Sequence, residues 1–71
     1  MARAPRVSGA ELIKHLEQHG YMQVRTTSDH VRLRHPLRPP TTVPLHDVIG
    51  PGLLRKIMRD TSLTLDDLFS E

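Results

Sequence analysis

The chain has 71 residues, with ten Lys and Arg against eight Asp and Glu, enough for one domain that buries only about 60% of its unfolded surface. Having no cysteine, it is excluded from disulfide and thiolate-metal stabilisation, and a reducing compartment is allowed. No apolar run approaches the roughly 18 residues that span a bilayer, and the basic Met1–Arg6 stretch leads into no hydrophobic segment, so it is no secretory signal. These features predict a soluble cytoplasmic protein, with a flexible arm over residues 1–7 and a single domain over 8–71.

In chain order, Ser8-Gly9-Ala10-Glu11 fits a capping box, in which the Ser8 hydroxyl accepts from the Glu11 amide and Glu11 reaches back to Ser8. The helix it opens runs to about His19, with Gly20 placed to end it in a left-handed conformation. Ala10, Leu12, Ile13 and Leu16 supply its apolar stripe. Tyr21 to Thr26 alternates, with Met22 and Val24 on one side and Tyr21, Gln23 and Arg25 on the other. A short turn at Thr27–Asp29 leads to a second strand, so the two should pair as an antiparallel hairpin. Three prolines within Pro36–Pro40 make a loop. Thr41–Leu45 reads as a third strand, and Pro44 suggests that it lies at an edge. After the Gly50-Pro51-Gly52 break, Leu53, Leu54, Ile57 and Met58 form the stripe of a second helix whose Arg55, Lys56 and Arg59 stay wet. Thr64 with Asp67 resembles a second capping box, opening a last short turn that carries Leu65, Leu68 and Phe69.

The expected class is α+β, in the order α-β-β-β-α(α), with both main helices on one face of a three-stranded antiparallel sheet. That packing puts Met22, Val24, Val31, Leu33, Val43 and Leu45 beneath the helices. Arg25, His30, Arg32 and Arg34 then lie on the open face.

The stretch Thr27–Pro36 carries the most chemistry. Strand alternation turns Val31 and Leu33 one way and His30, Arg32 and Arg34 the other. Histidine exchanges protons near neutrality, and arginine is the preferred phosphate partner. A solvated strand face is the bland alternative. Charge distribution favours a polyanion: four arginines and one acid lie between Arg25 and Arg38, whereas from Asp60 onward there are four acids and no base. A compact basic segment on a nearly neutral domain is an electrostatic footprint for nucleic acid. Arg25, Arg32, Arg34 and Arg38 are the candidate contacts.

Several strings together resemble the HicA-type toxins, small ribonucleases of bacterial toxin–antitoxin pairs. They are Val7-Ser8-Gly9-Ala10-Glu11-Leu12-Ile13, Gly20-Tyr21, Ser28-Asp29-His30 with Arg34-His35-Pro36, Val43-Pro44-Leu45-His46 and Pro51-Gly52-Leu53-Leu54-Arg55-Lys56-Ile57. The resemblance covers Val7 to about Phe69. It implies a double-stranded-RNA-binding-like fold, metal-independent cleavage of mRNA without a cofactor, a single catalytic histidine at His30, and a HicB-type antitoxin covering the basic face. Ser28 and Asp29 stand where the family pattern has Gly-Ser, so a turn needing positive φ would be strained at Ser28. A non-catalytic RNA-binding module is the alternative function. No second acid or base stands out for the leaving group, which leaves water as its proton source and predicts a slow enzyme.

The remaining histidines have blander expectations. His15 and His19 share an i, i+4 spacing that can bind zinc, but without a third ligand they belong on a solvated helix face. His35 should end its strand and cap the sheet edge. His46 should terminate the third strand, with phosphate contact a secondary role. Tyr21 either stacks a base from the open face or makes a structural contact.

Overall fold

A computed structural model describes residues 6–69; the expected arm therefore lies largely outside the described residues. Six elements follow in order: α1 (Gly9–Gln18), β1 (Met22–Thr27), β2 (His30–Arg34), β3 (Thr41–Pro44), α2 (Pro51–Thr61) and α3 (Leu65–Phe69). The strands form one antiparallel sheet in the order β1-β2-β3, matching the expected α+β arrangement. Pro44 lies on an edge strand, as its missing amide requires. Among the described residues, no helix is long and apolar enough to cross a membrane.

Local chemistry fixes the helix ends. The Ser8 amide donates to Glu11 Oε1 at 3.0 Å and the Glu11 amide to Ser8 Oγ at 3.1 Å, completing the capping box. The backbone hydrogen bond from Ser8, and then its side chain, holds the Glu11 carboxyl below its usual range. Thr64 and Asp67 repeat the arrangement at α3, with the same effect on Asp67. At the other end of α1, the Gly20 amide donates to the Glu17 carbonyl and the Tyr21 amide to the Leu16 carbonyl. Gly20 has φ +98°, so this is a Schellman motif. The buried Tyr21 and Leu16 supply its hydrophobic contact.

The core gathers Val7, Leu12, Ile13, Leu16, Tyr21, Val31, Leu33, Val43, Ile49, Leu54, Ile57, Leu63 and Leu68. Val7 therefore belongs to the folded domain and not to an arm: its side chain is buried and its carbonyl accepts from the Ile49 amide at 2.8 Å. Gly9 is pressed against β3, because a Cβ there would fall 1.9 Å from the Pro44 carbonyl oxygen. Its amide donates to the His46 carbonyl at 2.9 Å. The Ser8-Gly9 pair thus caps the helix with one residue and lets it meet the sheet with the next.

Four expected core positions are corrected. Met22 is 65% exposed, Val24 51% and Leu45 44%, and Ala10 is exposed as well. The register explains the first two. Met22 lies opposite Arg34, Gln23 opposite Leu33 and Arg25 opposite Arg32, so Val24 is the extra residue of a β-bulge. The bulge restarts the alternation in a different phase. The helices also pack chiefly over β3, which leaves β1 exposed along its length. Leu45 lies just past the end of β3, where its amide turns to the Asp29 carbonyl.

Candidate active site and nucleic-acid interface

The open face is built by β2 and its two neighbours. Val31 and Leu33 are 3% and 0% exposed, so hydrophobic burial orients the strand and forces His30, Arg32 and Arg34 outward. Arg25 joins them from β1, opposite Arg32. These four line one shallow depression together with Val24, Thr27 and Thr42. Arg32 Nη1 donates to Thr42 Oγ1 at 3.1 Å, which orients its guanidinium across the face. Among the described residues, Arg25, Arg32 and Arg34 make no salt bridge. Two arginines directly opposite each other disfavour the sheet, so the arrangement calls for an external anion.

His30 begins β2 immediately after a two-residue turn of Ser28 and Asp29. Ser28 has φ +56°, so the strain expected where the family pattern has glycine is present. Asp29 Oδ1 lies 3.0 Å from His30 Nδ1, within ion-pair distance of the ring. His30 Nε2 has no hydrogen-bond or ion-pair partner among the described residues. The other oxygen, Oδ2, lies 3.7 Å from His46 Nε2. The His30 and His46 rings stand 6.5 Å apart.

Residues 9–63 match the family described as "HicA toxin of bacterial toxin-antitoxin". The chain belongs to the HicA toxin family. The matched span contains the whole sheet, the His30 turn and α2, and ends just before α3. No curated protein and no solved structure matches the chain. As a HicA toxin it is one half of a toxin–antitoxin system, which implies an antitoxin partner.

The other candidates take structural places in this toxin. Arg38 is away from the basic face: its Nη1 donates to the Thr61 and Ser62 carbonyls at 2.9 and 3.3 Å. There it satisfies the C-terminal end of α2, apart from the other three candidate arginines. Tyr21 is buried and donates its hydroxyl to the Pro39 carbonyl at 2.8 Å. It makes the structural contact, and burial pushes its phenol above the usual range. His35 accepts from the Leu37 amide at Nδ1 and donates from Nε2 to the His19 carbonyl at 2.8 Å. Both ring nitrogens are used, and the imidazole joins the β2 end to the α1 terminus.

His15 and His19 are corrected too. His15 packs edge-on against Phe69 at 4.7 Å, and His19 Nε2 donates to the Asp67 carbonyl at 2.7 Å. They dock α3 instead of forming a solvated face. What sequence reasoning missed is the company of His46. The register across the sheet decides it: His30 pairs with Pro44, so continuing the antiparallel pairing carries His46 toward the His30 turn.

Proposed function

We propose that this toxin is a metal-independent endoribonuclease acting on mRNA in the cytoplasm, with His30 as general base. The observation that carries the proposal is His30, its Nε2 without a partner among the described residues, on a face with three guanidinium groups that make no ion pair among those residues, Arg25, Arg32 and Arg34. His30 removes the proton of a ribose 2′-OH, that oxygen attacks the adjacent phosphorus, and the 5′-oxygen leaves as a 2′,3′-cyclic phosphate forms. Arg32 and Arg34 hold the phosphate and offset charge that develops on its oxygens. Arg25 extends the contact along the backbone.

The same face supports a HicB-type antitoxin as the inhibitor. Met22 and Val24 add exposed apolar surface beside the arginines, a combination suited to an acidic partner with apolar anchors. An antitoxin seated there covers His30.

The test compares two variants on purified RNA. His30→Ala should abolish cleavage while leaving the thermal midpoint and RNA affinity near wild type. The double change Arg32→Ala, Arg34→Ala should instead weaken binding and lower the salt slope by roughly two units, about one per lost phosphate contact. Wild-type cleavage by His30→Ala would refute the catalytic assignment. RNA binding by a wild-type protein that never cuts would favour the non-catalytic module.

A further inference from the structure

The hairpin turn gathers more than one proton-transfer group. Asp29 spans two imidazoles, with Oδ1 3.0 Å from His30 Nδ1 and Oδ2 3.7 Å from His46 Nε2. All three side chains are more than half exposed, so none of them is held there by core packing. Backbone hydrogen bonds hold them together instead. The Leu45 amide donates to the Asp29 carbonyl at 2.6 Å, and the Gly9 amide donates to the His46 carbonyl at 2.9 Å. The segment carrying His46 is therefore fixed both to the His30 turn and to the first turn of α1. Gly9 is the residue that permits the second attachment, since any Cβ would strike Pro44.

We infer that His46 is a second catalytic residue, the general acid that protonates the departing 5′-oxygen, with Asp29 orienting both rings. The inference rests on the ribonuclease function proposed above and replaces water as the source of that proton. The two proton transfers balance. The 2′-OH proton passes to His30 Nε2 as the 2′-oxygen bonds to phosphorus. The bond from phosphorus to the 5′-oxygen breaks with its electron pair on oxygen, and a ring N–H of protonated His46 supplies the proton. The products are the cyclic phosphate and a free 5′-hydroxyl, with His30 protonated and His46 neutral. Exchange with water restores both rings. Asp29 keeps its negative charge throughout, so it stabilises whichever imidazole is positively charged at each stage. Rings 6.5 Å apart stand close enough to serve one phosphodiester between them, and Arg32 lies on the same face to hold it.

A leaving group that needs no proton isolates this role. RNA carrying a single 5′-bridging phosphorothiolate departs as a thiolate, so loss of the general acid no longer matters. His46→Ala should cut ordinary RNA about 10²- to 10⁴-fold more slowly than wild type, the usual worth of such a group. It should cut the phosphorothiolate at nearly the wild-type rate, while His30→Ala should be slow on both. Thermal unfolding of His46→Ala and of His46→Gln, which keeps a polar side chain that cannot deliver a proton, establishes that the comparison is made on folded protein. Equal losses on both substrates would overturn the assignment and make His46 a positioning residue. Wild-type cleavage of ordinary RNA by His46→Ala would also overturn it while leaving His30 as base. Failure of wild-type protein to cut either substrate would instead remove the ribonuclease function, and this inference with it.

Discussion

The two faces of the sheet are made from the same strand and obey opposite rules. Toward the helices, Leu33 and Val43 are fully buried and Val31 nearly so, beside the buried Thr41. Toward solvent, His30, Arg32 and Arg34 are exposed, and their charges lack partners within the described residues apart from the Asp29 contact to His30. The dry face stores the stability of a small domain. The wet face adds almost none and concentrates like charge that a purely structural sheet would avoid. The separation lets the proposed binding and catalytic groups sit side by side without weakening the core. The same contrast divides the histidines: His35 spends both ring nitrogens on backbone groups, whereas His30 Nε2 has no partner among the described residues.

The sharpest way to break this comparison is to truncate neighbours on opposite faces. Leu33→Ala should destabilise by about 2–5 kcal/mol, the cost of lost burial plus a cavity. Arg34→Ala should stay within about 0.5 kcal/mol yet weaken RNA binding. Urea unfolding of the two variants checks this, and similar losses from both would mean that the open face is structural.

A smaller effect tests the link between helix and site. Gly9→Ala forces a Cβ onto the Pro44 carbonyl and should cost about 1–3 kcal/mol through overpacking. Because Gly9 also holds the His46 carbonyl, RNA cleavage should fall even at temperatures where the variant is folded. Thermal melts paired with cleavage assays provide the measurement, and a stable, fully active Gly9→Ala would show that this contact is dispensable.

The smallest expected effect lies in the turn that joins β1 to β2. Ser28→Gly removes the left-handed strain at φ +56°, worth roughly 1 kcal/mol, but adds unfolded-chain entropy worth about half as much. The net should be a gain of about 0.5 kcal/mol, raising the thermal midpoint by about 2–4 °C for a domain of this size. A lowered midpoint would mean that the serine side chain stabilises the turn.

Some of this was legible residue by residue. The capping boxes at Ser8/Glu11 and Thr64/Asp67 depend on contacts three residues apart, so their strings announce them. Gly20 ends α1 because only a left-handed residue can close that helix with both Schellman hydrogen bonds, and Pro44 marks an edge because it has no amide to donate. The outward turn of His30, Arg32 and Arg34 follows from strict alternation around Val31 and Leu33. In β1 the same alternation misplaced Met22 and Val24, since a single bulge shifts the phase and nothing in the local composition marks it.

Local spacing determined the element order, the helix caps, the buried side of β2 and the outward histidine with its arginines, because each depends on neighbours a few residues away. Only the tertiary structure decided which histidine meets another and which arginine is diverted. His46 reaches the His30 turn through the β2–β3 register and the close approach of Gly9, and Arg38 is drawn to carbonyls more than 20 residues away. Such meetings depend on how separate segments pack across the fold, and charge or spacing along the chain does not encode that distance.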